Sequence, residues 1–419
     1  MAPRRSSSAV DPMSTPVSPP KPKTARDLGI MQGFPPPPEK RPTLENWDLP
    51  PFNRWSFQNV RSLFPTAEVW RGTGPADPFG EDLQSLDGIQ VVTLEGDRVR
   101  LADFLAATYA DGFLVCHRDR IVYERYFNDM GPETPHLSQS VAKSLVGLVA
   151  GVLDGQGLLE MHAPLADLVP ELAACGYARA TLAQALDMQT GVRFTEDYNL
   201  PGSDMTRIDI ASGWRPGPET GERPTIRDVI LTLPAIRPHG ERFDYRSIET
   251  DLVAWVLERA AGRSLAELVS TLIWQPVGAE RDAYFTVDAA GTALADGGFN
   301  ATLRDYARLG RLVLKDGRAM GRQVVPRDWI DGMRRGETAK FGEPYSLLTP
   351  NGAYRRFWWV RDNDRGDISA RGVFGQMIHA DPEADLLVVK LSTWPDYLIP
   401  AYTANTYRAI DAIRVALGA

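Results

Sequence analysis

Hydrophobic and polar positions along the chain change period several times, and each change predicts an element. From Gly112 two β-rich apolar runs, 112–116 and 121–127, flank the polar stretch 117–120, which predicts a β-hairpin. From Ser140 the pattern turns helical to about 153 and stops at Asp154-Gly155. Further helical patterns cover 181–188, 225–233, 250–261, 264–274, 304–315 and 326–335. The last hundred residues return to strand spacing at 354–361, 367–374, 377–381 and 385–391, and a helix closes the chain from about 401 to 416. The order strands, many helices, strands, helix predicts an α+β fold. One antiparallel sheet would draw on both chain ends, flanked by helices, with a mainly helical lobe inserted. The sheet lobe would take about 47–139 and 290–419 and the helical lobe about 140–289, together one catalytic-sized domain over 47–419.

Residues 1–46 read differently. Eleven of the 33 prolines precede position 43, and four stand together at Pro35 to Pro38. Such a stretch predicts an extended N-terminal tail. Over the whole chain, 43% hydrophobic and 24% charged residues make a globular composition and exclude general disorder. A net charge of −8 without a basic run excludes phosphate-backbone binding, so no nucleic-acid partner is expected. No apolar segment reaches membrane-spanning length and no secretory leader is apparent, which predicts a cytoplasmic chain without a membrane partner. Two cysteines, Cys116 and Cys175, predict reduced, buried thiols rather than a disulfide framework.

Chemistry enters at Ser140-Val141-Ala142-Lys143, an S-x-x-K motif at the start of a helical pattern. Residues three apart share a helix face, so serine and lysine become neighbours. The helix N-terminus favours a developing oxyanion beside Ser140. Lys143 is the only charge in an otherwise apolar segment, and burial predicts a lowered pKa for it. A second match, Ser18-Pro19-Pro20-Lys21, contains prolines that forbid the required helix. No G-x-S-x-G, H-E-x-x-H, C-x-x-C or P-loop occurs, so no metal and no cofactor is expected. The five histidines, at 117, 136, 162, 239 and 379, are read as structural or surface residues.

The block from His136 through Ser140-Val-Ala-Lys143 to Gly155, with Ala163-Pro164-Leu165, Pro170-Glu171-Leu172 and the run from Thr181 to Gly191, resembles the class C β-lactamase-like serine hydrolases. Phe194-Thr-Glu-Asp-Tyr198, Ala211-Ser-Gly-Trp214, Phe243-Asp-Tyr245, Arg356-Phe-Trp-Trp359 and Ser392-Thr-Trp394-Pro-Asp396 make it most similar to the 6-aminohexanoate-dimer hydrolase branch. The resemblance implies a β-lactamase/DD-peptidase fold. It implies Tyr245 as the second proton-transfer residue, in Tyr245-Arg246-Ser247 where the family has Y-x-N. Tyr126-Phe127-Asn128 fits Y-x-N by letters but lies in the predicted hairpin. The K-T-G element is absent, and Ala370-Arg371-Gly372-Val373 stands in its place. There Gly372 would admit substrate to the strand backbone. The Val373 N–H would join that of Ser140 as oxyanion donor, and Arg371 would partly replace the missing lysine. Tyr198 and Asp209 match positions that contact the substrate amide and amino group, and Trp359 would line an apolar slot. Phe374-Gly375-Gln376 departs from the His-Gly-Gln common in the branch.

The sequence therefore predicts a serine hydrolase that forms an acyl-enzyme. Its substrates would be linear amides such as 6-aminohexanoate oligomers and small carboxylic esters, with water as acyl acceptor. A carboxylesterase without useful amidase activity, a DD-peptidase or β-lactamase, and a non-catalytic binding module on the same fold stay open as alternatives, as does a homodimer.

Overall fold

The computed structural model describes residues 21–218 and 220–419. Its main sheet begins with β1 (Ala110–His117) and β2 (Arg120–Tyr126), joined where the sequence predicts a hairpin. Arg118 and Asp119 both adopt positive φ, 52° and 65°, the backbone that a two-residue turn between twisted strands requires. The chain then leaves the sheet through α1 (Val141–Gly155), α2 (Asp204–Ala211), α3 (Ile248–Ala261) and α4 (Leu303–Leu314). It returns as β3 (Ala353–Arg355), β4 (Trp358–Asp362), β5 (Asp367–Gly372), β6 (Gln376–Asp381) and β7 (Leu386–Ser392), and ends in α5 (Pro400–Ala416). The strand order is β3-β4-β5-β6-β7-β1-β2, antiparallel throughout, with Gly80–Glu81 added parallel to β2 at the edge. The two chain ends thus share one sheet, as the pattern predicts, and the parallel edge makes it a mixed sheet.

Alternation along the central strands assigns the faces. Phe113, Val115, Leu386 and Val388 pack with Tyr407, Ile410 and Ile413 of α5. Leu114, Leu387 and Val389 face the other way, into the core shared with α1 and α4. Helix α1 is buried from Val141 to Leu153, so its apolar composition reflects contact on every side. Two glycines let it come that close. A Cβ at Gly147 would stand 2.3 Å from the Arg356 carbonyl oxygen, and one at Gly151 would stand 2.5 Å from the Trp329 ring. Ser144 Oγ donates to the Phe357 carbonyl at 2.6 Å and pins the same approach.

Four expectations need correction. The single strand expected over 354–361 is two strands. Arg356 and Phe357 take left-handed backbone, φ 50° and 64°, and their N–H groups bond to Asp187 Oδ1 and the Leu186 carbonyl. A second sheet, Thr66–Val69, Ala283–Thr286, Phe299–Ala301 and His136–Leu137 in that order, gives strand structure inside the stretch expected to be helical. Its first two members pair across more than two hundred residues, a separation no local pattern reveals. Residues 21–46 are not extended: they turn at 25–31, form a short 3-10 helix at Pro38–Lys40, and bury Ala25 and Ile30. The tail before residue 21, with Ser18 to Pro20 of the second motif, lies outside the described residues. Finally, both cysteines are free but only Cys116 is buried; Cys175 is partly exposed. Among the described residues no helix is long and apolar enough to cross a membrane.

Candidate active site

Ser140 stands where the small sheet hands the chain to α1. Strand His136–Leu137 ends, Ser138 N–H donates to the Phe299 carbonyl at 2.8 Å, and Gln139 takes a positive φ of 47°. This bend leaves Ser140, the residue before the first helical turn, on the wall of two cavities. Lys143, one turn on, donates to Ser140 Oγ at 3.0 Å and to the Asp296 carbonyl at 2.6 Å. It is 1% exposed. Burial works against its charge, but Tyr245, Asp296, Glu196 and Asp251 outweigh burial and hold its pKa above the ordinary lysine value. The lowered pKa expected from the sequence is therefore reversed, because burial here comes with acidic company.

Tyr245 completes the group, its ring centroid 5.4 Å from Lys143 Nζ. Its backbone N–H donates to the Tyr345 hydroxyl at 3.2 Å, and its ring stacks on Trp359 at 5.4 Å and 23°. Burial raises the phenol pKa, assisted by Glu196 and Asp296. The Lys143 charge and a hydrogen bond with Ser140 pull the other way without cancelling the rise. On the opposite side β5 ends against the Ser138–Ser140 backbone. A Cβ at Gly372 would lie 2.7 Å from the Ser138 carbonyl oxygen and 3.0 Å from the Ser140 nitrogen, so only glycine fits. Neither the Ser140 N–H nor the Val373 N–H donates to another group among the described residues, which leaves two free donors on residues that line the same cavity.

Two cavities meet at Ser140. The larger, about 390 Å³, has walls of Tyr245, Trp359, Trp394, Tyr397 and Ile399, with Gly372 and Val373 beside the serine. Arg371 also lines it, with its guanidinium 4.6 Å from the Trp359 ring centroid and no carboxylate partner among the described residues. The smaller, about 20 Å³, is lined by Asp48, Asp209, Asp296, Ser247 and Trp214. Asp209, on α2, is pushed up to about 8. Burial is the main cause, with Asp48, Asp296 and Glu196 adding to it and Arg215 opposing. Tyr198 lines both cavities. It donates to Glu196 Oε1 at 2.7 Å and stacks on Tyr397 at 5.2 Å and 16°.

Every residue predicted to act at the site is thus brought to Ser140 or to one of its two cavities, Lys143 through its bond to Ser140. Tyr126 is not: it sits on β2 and its hydroxyl bonds to Glu124. None of the five histidines lines either cavity. Sequence reasoning missed Glu196, Asp296 and Asp48 as site residues. Glu196 accepts from Ser247 Oγ at 2.5 Å and from Ser247 N–H at 2.8 Å, so the serine replacing the family asparagine is tied to a carboxylate. Glu196 lies in the Phe194–Tyr198 motif and could have been read from it; Asp48 carries no local signal. Away from both cavities, Asp367, His379 and Asp381 converge to within 4.8 Å, but Arg361 and Arg365 already ion-pair with the two carboxylates.

The β-lactamase family model matches residues 101–412. A 6-aminohexanoate-dimer hydrolase from Paenarthrobacter ureafaciens is 37% identical over 386 residues, covering 89% of this chain and 95% of that one. The chain belongs to the β-lactamase family. A solved structure from Bacillus anthracis, provisionally named a 6-aminohexanoate-dimer hydrolase, superposes on this family member with a TM-score of 0.84. It shares 29% identity over 91% of this chain and 98% of its own. The octameric penicillin-binding protein homologue from Pyrococcus abyssi shares the β-lactamase-family fold at a TM-score of 0.58 and 19% identity, covering 76% of each chain. As a member of the β-lactamase family, the chain is a serine hydrolase.

Proposed function

We propose that the chain cleaves linear amides of the 6-aminohexanoate-oligomer type, and small carboxylic esters, through an acyl-enzyme on Ser140. The observation that carries this reading is the position of Ser140 between two unlike cavities, one holding Asp209 and the other Arg371. A linear substrate with an ammonium at one end and a carboxylate at the other finds an opposite charge on each side of the serine. The apolar walls between suit an alkyl chain. The names carried by the two 6-aminohexanoate-dimer hydrolase relatives support the same substrate class.

Ser140 Oγ attacks the amide carbon, and the carbonyl electron pair moves onto oxygen, where the Ser140 and Val373 N–H groups receive it. The serine proton passes to Tyr245 Oη while the phenol's own proton passes to the leaving nitrogen, so Tyr245 ends as it began. Its raised pKa suits a relay rather than a standing phenolate. Lys143, held cationic, offsets the negative charge as it forms on Ser140 Oγ and Tyr245. The C–N bond breaks and the amine departs. Water then attacks the ester carbon, gives its proton to Tyr245, and the phenol returns one to Ser140 Oγ as the acid leaves. Esters follow the same course with an easier leaving group.

The test is hydrolysis of a short p-nitrophenyl ester and of the linear 6-aminohexanoate dimer by wild type and Ser140→Ala. Cleavage of both by wild type and of neither by the variant is expected. Cleavage of the ester alone would replace this reading with a carboxylesterase.

A further inference from the structure

The smaller cavity is walled by three carboxyl groups. Asp48, Asp209 and Asp296 line it, while the cations that reach it, Arg215 and Lys143, do so from behind. Asp48 lies just after the Pro-rich segment 1–46, 161 positions before Asp209, and is 4% exposed. Its Oδ2 is fully used, accepting from Arg215 Nη2 at 2.7 Å and from the Tyr397 hydroxyl at 2.9 Å. Its Oδ1 is buried and has no hydrogen-bond partner. A buried carboxylate oxygen left without a donor is costly unless something arrives to supply one. The cavity volume of about 20 Å³ fits a single head group of ammonium size.

We propose that Asp48 is a specificity-determining residue: its free Oδ1 and the Asp209 carboxylate together hold the primary ammonium of the substrate. The stretch that opens the folded domain, at Asp48, is therefore part of the substrate pocket. Arg215 and Tyr397 fix Asp48 in place, and the stacking of Tyr397 on Tyr198 couples that placement to the wall shared by both cavities. The proposal rests on the reading of this cavity as the amine side of the site, but its test needs no turnover.

The experiment is calorimetric titration of the full chain with 1-aminohexane and with 1-hexanol, above pH 8 where Asp209 is ionised. Wild type is expected to bind the amine at least ten-fold more tightly than the alcohol. Asp48→Asn keeps one oxygen for Arg215 and Tyr397 but turns an N–H₂ toward the cavity, and should cut that ratio ten-fold or more. Asp48→Glu retains the charge and should restore most of it, which a purely structural role would not do. Both ligands are read on the same folded molecules, so partial loss of folding leaves the ratio intact. A ratio unchanged within two-fold in Asp48→Asn, or no preference for the amine in wild type, would overturn the proposal. Failure to cleave the linear dimer, with the binding preference intact, would count against the amidase reading alone.

Discussion

Two buried serine–lysine pairs lie among the described residues, and their surroundings are opposite. Lys143 bonds to Ser140 one helical turn away; Lys390 bonds to Ser392 on the same face of β7. Both lysines are removed from water, 1% and 0% exposed. Lys143 has Tyr245, Asp296, Glu196 and Asp251 nearby and stays charged. Lys390 is pushed down to about 7 by burial, with Asp111 opposing. Its serine faces the Gly375 carbonyl rather than free N–H donors, and Trp394, over whose ring the ammonium sits, lines the large cavity while Lys390 and Ser392 do not. Lys390 behaves as the sequence led one to expect of Lys143, and lines neither cavity at Ser140. A serine beside a lysine is thus not enough. Free donors, a phenol and carboxylates that hold the ammonium charged distinguish the pair at the cavity.

The largest effect should separate the two serines. Ser140→Ala is expected to lower kcat/KM on ester and dimer by about 10³-fold or more, whereas Ser392→Ala should change it less than two-fold; equal losses would erase the distinction. Tyr245→Phe removes the relay and should cost about 10² to 10⁴ in kcat with little change in KM. A dominant KM effect would mean that Tyr245 binds rather than moves protons. Arg371→Ala should raise KM for the carboxylate-bearing dimer about ten-fold, the size of a lost charge-assisted contact, and leave a neutral ester less affected.

The pH response is smaller and has a definite sign. Asp209, at about 8, is protonated and uncharged below that value. KM for the ammonium-bearing dimer should therefore fall several-fold as pH rises from about 6 to about 9, with no matching change for a neutral ester. Lys390 touches stability instead. Its folded pKa of about 7 lies below the unfolded value, so between those two the unfolded chain binds more protons. The cost is fully present below about 7 and fades as pH rises toward the ordinary lysine value. Lys390→Met should raise Tm by a few degrees at neutral pH and flatten this dependence, measured by thermal unfolding at several pH values.

The parts of this picture legible in the sequence are those with local causes. Helix α1 is an apolar run with one lysine, the β1–β2 turn is a polar break between β-rich segments, and Ser140 with Lys143 is a helix spacing. The resemblance supplied Tyr245, Gly372 and Asp209, which lie far from Ser140 in sequence. What remained hidden depends on tertiary assembly. The turn at Arg356-Phe357 is held by Asp187 and Leu186, and the small sheet pairs residues two hundred positions apart. Asp48 enters the site only because tertiary folding brings it onto Arg215 and Tyr397. The Lys143 charge could not be read from its apolar helix, because the groups that keep it lie on other segments.

The most direct test of the central claim is mass spectrometry of the enzyme quenched during turnover of a p-nitrophenyl ester, followed by peptide mapping. A single acyl group on Ser140, absent from Ser392, is the expected result. Steady turnover with the acyl group on another residue, or with none trapped on any residue in a rapid-quench series, would contradict the account.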